Sequence, residues 1–229
     1  DAPTATDDSG AVNEAATLNV SAANGVILGA GAGAGTDTDP DGDTLVVSQV
    51  NGQAANVGTA ITGTYGDLTL NANGDYTYVA NNANGIANGA TVTDTFTYTV
   101  ADGQGGTDTA QLVLNVTGTN DAPIANNISF DAVQAGDAIV ITLTGSDADS
   151  GDSIEGFRIT SLPPQGELRL NGVVISNNSS VSAADIADGK LTYMPNNTFD
   201  SEHGAPAPSF TYEAFDGEGY SVPATATVN

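Results

Sequence analysis

The sequence predicts an all-β protein built from two β-sandwiches in tandem, and three observations predict it: an internal duplication, period-2 hydrophobic alternation, and turn residues between short strands. The duplication is explicit. Asp1-Ala-Pro-Thr-Ala returns as Asp121-Ala-Pro-Ile-Ala, and Gly35-Thr-Asp-Thr-Asp-Pro-Asp-Gly-Asp43 as Gly145-Ser-Asp-Ala-Asp-Ser-Gly-Asp152. Gly66-Asp-Leu-Thr-Leu70 returns as Gly166-Glu-Leu-Arg-Leu170, and Thr95-Phe-Thr-Tyr-Thr-Val-Ala-Asp-Gly103 as Ser209-Phe-Thr-Tyr-Glu-Ala-Phe-Asp-Gly217. Four matches in one order, at a period of roughly 110 to 120 residues, make each copy a domain, residues 1–119 and 120–229. The ends at Asp1 and Asn229 coincide with where an Asn-Asp-Ala-Pro junction would be cut, so the chain reads as a fragment of a longer array.

In the first unit, strands are expected at 16–20, 44–50, 66–71 and 74–79. Phe96, Tyr98 and Val100 then share one face with Thr95, Thr97 and Thr99 on the other, and Leu112, Leu114 and Val116 repeat the pattern. Between these two runs Asp102-Gly-Gln-Gly-Gly106 supplies the positive-φ positions of a hairpin. The second unit offers strands at 138–144, 154–161, 166–170, 172–176, 189–194, 209–214 and 221–228, with a single helical turn at 182–188. Seven or so short strands per unit, separated by Gly/Asn/Asp turns, are what a sandwich requires.

Charge narrows the function. Twenty-eight acidic residues face three basic ones, Arg158, Arg169 and Lys190, for a formal net charge of −25. Residues 1–119 have no Lys or Arg, so salt bridges cannot hold that unit together, and self-repulsion opposes compaction unless cations intervene. Aromatic and β-branched residues in register argue against disorder. Nucleic acid and anionic membrane surfaces are disfavoured as partners for want of basic residues. No apolar run reaches the roughly 20 residues of a membrane span, so membrane insertion is not expected, and any export signal lies outside this segment. The absence of cysteine does not fix a compartment.

In an immunoglobulin-like sandwich the loops after the second and sixth strands share the end that holds the amino terminus. That topology gathers Asn120 and Asp121 at the junction with Asp147, Asp149 and Asp152 on one loop and Asp216 at a hairpin turn. Glu14 and Asp94 are expected at the far end of the first unit, facing this set. The first unit's own equivalent is Asp1, Asp37, Asp39, Asp43 and Asp102. Ca²⁺ takes six to eight oxygens from carboxylates, carbonyls and water, which alternate Asp residues supply. Solvated turn-capping is the plain alternative for any single Asp. Asp37-x-Asp39-x-Asp41-Gly42 opens like an EF-hand loop, but its twelfth position is Ser48 and a strand follows, so that motif is rejected.

Asn120-Asp121-Ala-Pro123 followed by Asp147-x-Asp149 resembles the linker and loop signatures of cadherin repeats. The first unit is similar to bacterial cadherin-like, VCBS-type repeats of giant RTX adhesins, through Asp37-Thr-Asp-Pro-Asp-Gly-Asp-Thr-Leu45, Gly74-Asp-Tyr-Thr-Tyr78 and the run from Asp94 to Gly106. The second resembles the chondroitin-sulfate-proteoglycan-type repeat through Ala184-Asp-Ile-Ala-Asp-Gly-Lys-Leu-Thr-Tyr193. The resemblance implies Ca²⁺ at the junction with Asp121, Asp147 and Asp149 as ligands; Glu14, Asp94, Asp152 and Asp216 rest on topology. Two departures stand out. Leu28-Gly-Ala-Gly-Ala-Gly-Ala-Gly35 replaces a short polar step and is expected as a flexible surface loop, and the second unit lacks a counterpart of Asp41.

The leading expectation is mechanical. A monomeric, extracellular spacer on a bacterial surface would be joined to neighbouring domains of its own chain through Ca²⁺, projecting a distal binding domain for adhesion and biofilm formation. A Ca²⁺-dependent carbohydrate-binding module is the second reading. It lacks Trp, and of its tyrosines only Tyr65 and Tyr220 flank turns where a stacking platform could be exposed. An enzyme is the weakest reading: His203 is the only histidine and is expected as a solvated loop residue, while Asp200 and Glu202 on the same loop could reach a following junction.

Overall fold

A computed structural model describes residues 1–31, 33–131, 137–195 and 207–228. The chain divides into two compact units, Asp1–Thr119 and Asn120–Asn229.

Unit 1 contains β1 (Asp8–Asn13), β2 (Thr17–Val20), β3 (Val46–Val50), β4 (Ile61–Thr62), β5 (Asp67–Leu70), β6 (Tyr76–Val79), β7 (Thr91–Ala101) and β8 (Thr107–Thr117). One sheet runs β1-β8-β7-β3 and the other β2-β6-β5-β4. Strict alternation makes β7 and β8: Phe96, Tyr98 and Val100 are buried, as are Leu112, Leu114 and Val116, with Phe96 opposite Leu112 and Tyr98 opposite Ala110, while the threonines between Phe96, Tyr98 and Val100 point to the other face. The hairpin between them turns on Gly103 and Gly105, both at positive φ. Leu68, Leu70, Tyr76 and Tyr78 close the core from the second sheet.

Strand β1 is absent from the expected set. Its sequence, Asp-Ser-Gly-Ala-Val-Asn, has little β propensity, and it forms because it pairs in parallel with β8, Asp8 opposite Leu112. The Gly/Ala segment is a second difference. Rather than lying free, it is laid along β1: the Ser9 N–H donates to the Gly33 carbonyl at 2.6 Å and the Gly35 N–H to Asp8 Oδ1 at 2.7 Å. A Cβ on Gly35 would come within 2.4 Å of Thr6, so the small residues permit this close approach.

Unit 2 contains β9 (Ile124–Ala125), β10 (Ile128–Phe130), β11 (Ile139–Val140), β12 (Gly145–Ser146), β13 (Gly156–Ser161), β14 (Glu167–Leu170), β15 (Val173–Val174), β16 (Ser180–Ser182), α1 (Ala183–Ala187), β17 (Leu191–Met194), β18 (Ser209–Phe215) and β19 (Ala224–Val228). Its sheets run β10-β19-β18-β13-β16 and β11-β17-β14-β15, with β12 and β9 forming a small third pair. The core is Ile141, Leu143, Phe157, Ile159, Tyr193, Phe210 and Tyr212 with their neighbours. The expected strand over 138–144 is only Ile139–Val140 by backbone pairing, although Ile141 and Leu143 stay buried. The helical turn forms where expected because Ser182 caps it, accepting the Asp185 N–H. Strands β9, β10, β12 and β16 are additional.

The fold is therefore all-β, two sandwiches of immunoglobulin and cadherin-like type in tandem. Among the described residues, no helix is long and apolar enough to cross a membrane.

Candidate metal centre

In unit 2 the loop after β12 folds Asp147, Asp149 and Asp152 so that a carboxylate oxygen from each lies within 4.8 Å of the others. Local hydrogen bonds build the loop. Asp147 Oδ1 accepts the Asp149 N–H at 2.8 Å, and the Asp149 carbonyl accepts the Asp152 N–H at 3.2 Å. Asp149 is buried, 4% exposed, and its Oδ2 accepts the Asp121 N–H at 2.9 Å, which ties the start of the unit to the loop. Asp216 Oδ1 accepts the Glu218 and Gly219 N–H groups at 2.7 and 2.6 Å, and its Oδ2 takes the Asn120 amide at 3.3 Å. Burial opposes ionisation of Asp216, but the Gly219 and Glu218 N–H groups and Asn120 outweigh it and hold the carboxyl below its ordinary value.

What these bonds leave over is informative. Asn120 Oδ1, Asp147 Oδ2 and Asp149 Oδ1 are buried oxygens with no hydrogen-bond partner. Such atoms are costly unless something satisfies them. The protein's own cations are engaged elsewhere: Arg158 with Glu213, Arg169 with Glu167, and Lys190 with Asp185 and Asp188. A hard divalent cation fits this all-oxygen donor set.

In unit 1, Glu14 follows β1 and is 4% exposed. Its Oε1 accepts from the N–H and hydroxyl of Thr119, the last residue of the unit, and its Oε2 is buried without a hydrogen-bond partner. Asp94 behaves differently. It accepts the Thr64 and Tyr65 N–H groups at 2.8 and 2.9 Å and the Tyr78 hydroxyl at 2.6 Å, so its oxygens clamp the turn before β5 and it leaves the candidate set.

Asp39, Asp43 and Asp102 occupy positions equivalent to Asp149, Asp152 and Asp216. Asp39 Oδ1 accepts the Asp41 and Asp43 N–H groups, its Oδ2 is buried without a partner, and Asp43 is half-buried. Asp102 Oδ1 takes the Gln104, Gly105 and Gly106 N–H groups, which hold it below its ordinary value. Asp37 is the second correction. Unlike its counterpart Asp147 it turns inward, accepting the Thr6 N–H at 2.8 Å beside the Tyr98 hydroxyl. With it lies Asp8, a buried carboxylate on β1 that sequence reasoning missed and for which the sequence carries no signal.

Neither turn tyrosine presents a free ring. Tyr220 stacks with Phe215 at 4.6 Å and carries the Arg158 guanidinium 3.8 Å from its centroid. Tyr65 is half-buried against the core. Asp200, Glu202 and His203 lie outside the described residues.

Comparison with known proteins agrees with this architecture. Residues 1–118 match the model of the bacterial cadherin-like domain, and residues 120–229 that of a bacterial Ig domain. A relative in Rhizobium johnstonii, the calcium-binding lectin RapA2, is 40% identical over 86 residues, a match spanning 35% of this chain and 35% of the relative. Among solved structures, Drosophila N-cadherin EC1-4 aligns over 97% of this chain and 48% of its own length with a TM-score of 0.48 and 11% identity. Human mucin-like protocadherin EC1-2 aligns over 99% and 97% with a TM-score of 0.43 and 12% identity. An endo-fucoidan hydrolase aligns over all of this chain and 28% of its own length with a TM-score of 0.33 and 17% identity.

Proposed function

We propose that this chain, which belongs to the bacterial cadherin-like domain family, is a Ca²⁺-dependent extender module of a bacterial surface adhesin. The observation that carries the reading is the set of buried, unpartnered oxygens on Asn120, Asp147 and Asp149, in a protein whose three basic side chains are all engaged elsewhere. In unit 2, Ca²⁺ would be held by Asp121, Asp147, Asp149 and Asp152 with the Asn120 side-chain carbonyl and Asp216, and in unit 1 Glu14 is a further candidate ligand. Asp39, Asp43 and Asp102 are the counterpart set of unit 1. The ion supplies positive charge where carboxylates crowd, so binding couples to folding and limits motion between consecutive units. Chain neighbours are its partners in this reading, the location is extracellular, and no catalytic step is involved. An open site of this kind binds at roughly 10⁻⁴ to 10⁻³ M.

Isothermal titration with CaCl₂ tests the assignment. Binding in this range, reduced in Asp147→Asn/Asp149→Asn to what the unit 1 set contributes, supports it; equal heats in the variant refute it. That the Rhizobium relative is a calcium-binding lectin favours a second reading, Ca²⁺-dependent carbohydrate binding. Because the Tyr65 and Tyr220 rings are engaged within the protein, such binding would run through Ca²⁺-held hydroxyls rather than aromatic stacking. Saturable binding on a glycan array that EDTA abolishes would raise it above the spacer reading.

A further inference from the structure

In unit 1 the Tyr98 hydroxyl has more acceptors than its one proton can serve. Its oxygen lies 2.8 Å from Asp8 Oδ2 and 2.9 Å from the Thr6 carbonyl, with the Val26 carbonyl at 3.3 Å and both Asp37 oxygens at 3.4 Å. A phenol donates once, and carbonyls and ionised carboxylates do not donate at all. One of the two short contacts is therefore a meeting of two acceptors unless a second proton lies in it. The Thr6 carbonyl cannot carry that proton, whereas Asp8 can. Asp8 Oδ1 is already occupied by the Gly35 N–H, which leaves Oδ2. We infer that unit 1 stores a proton on Asp8 Oδ2, from which Asp8 donates to Tyr98 while Tyr98 donates onward to the Thr6 carbonyl.

The surroundings favour the neutral acid. Asp8 is 4% exposed. The ionisable groups around it are Asp7 immediately before its strand, Asp37 on the loop that follows the Gly/Ala segment, Tyr98 on β7 and Tyr76 on β6; Asp108 on β8 adds its charge at Asp37. None is basic, and no Lys or Arg precedes Arg158. Burial pushes the Asp8 carboxyl up to about 6 against hydrogen bonds from Tyr98 and Gly35, and Asp7 adds to the rise. Burial pushes the Asp37 carboxyl up to about 6 as well, against its Thr6 N–H bond, with the Asp8 charge adding to the rise; the short contact that calls for a second proton lies at Asp8, since both Asp37 oxygens stand 3.4 Å from the Tyr98 hydroxyl.

The linkage has a definite sign. A carboxyl raised in the folded state stabilises fully below its ordinary value near 3.8, and that contribution is lost as pH rises through about 6. Unit 1 is thus held more firmly in mildly acidic than in neutral surroundings, the reverse of a salt-bridged domain. Among the described residues, unit 2 has no such device. Asp8 pairs with Leu112, which pairs with Phe96, two residues before Tyr98; Ile128 pairs with Ala226, which pairs with Phe210, two residues before Tyr212. By this register Ile128 stands where unit 1 has Asp8.

The test is carboxyl ¹³C NMR of the whole two-unit chain in EDTA, from pH about 3.5 to about 8, with unit 1 melting followed by its own amide signals. Asp8 titrating near 6, and a unit 1 melting temperature that falls through that range more steeply in the native protein than in Asp8→Asn, where Asp37 alone contributes, support the stored proton. Asn keeps a donor at the same place, so the variant mimics the protonated acid. Asp8 titrating near 3.8, or Asp8→Asn retaining the native pH dependence, overturns it. Should Asp8→Asn fail to fold, the titration of the native chain decides alone.

Discussion

Tyr98 and Tyr212 are the same residue of the same strand in two copies of one domain, and their hydroxyls meet different company. Tyr212 reaches the Asn126 and Thr144 carbonyls, a neutral pair that one phenol proton and backbone geometry accommodate. Tyr98 reaches two carbonyls, of Thr6 and Val26, and two carboxyls, of Asp8 and Asp37. The difference begins at one position, Asp8 against Ile128, and spreads to the Gly/Ala segment that brings the Gly35 N–H to Asp8. A duplicated fold thus keeps its frame, while a buried position exchanges hydrophobic packing for a hydrogen-bonded acid whose partners come with it.

The comparison can be broken most severely by moving the acid without its partners. Ile128→Asp places a carboxylate against the core of unit 2, where Gly145, the counterpart of Gly35, pairs with Ala125 of β9, and should cost about 3 kcal/mol in chemical denaturation of that unit. Gly35→Ala comes next. The new Cβ meets Thr6 and the Asp7 carbonyl, the Asp8 bond is displaced, and unit 1 should lose about 2 kcal/mol with unit 2 unchanged. Tyr98→Phe should cost unit 1 about 1.5 kcal/mol, because Asp8 loses its partner in a buried site, whereas Tyr212→Phe should cost unit 2 only about 1 kcal/mol. Equal losses for the two tyrosines would remove the asymmetry on which the comparison rests.

Much of the fold was legible because alternation is legible. Phe96, Tyr98, Leu112 and Leu114 announce a two-faced strand pair, and the Ser182 cap announces the helical turn. Strands β1, β9 and β10 were not, because short edge and entry strands are made by the backbone groups of a neighbour rather than by their own side chains. The acidic loop of unit 2 was legible as a cluster: Asp147, Asp149 and Asp152 do converge. Asp37 and Asp94 were misread for a common reason. Spacing shows that a carboxylate sits on a loop or strand end, but not whether N–H groups and a tyrosine hydroxyl inside the domain will claim it first. Asp8 was invisible because a single acid in a polar stretch has the same signature whether solvated or buried.

The central claim is that a divalent cation satisfies the oxygens left over at the start of unit 2, and differential scanning calorimetry with CaCl₂ and then EDTA, on the native chain and on Asp147→Asn/Asp149→Asn, tests it most directly. At a Ca²⁺ concentration about 100-fold above Kd, the account predicts about 2.7 kcal/mol of added stability for unit 2 of the native chain and none for unit 2 of the variant. Identical transitions with Ca²⁺ and EDTA in the native chain would contradict it.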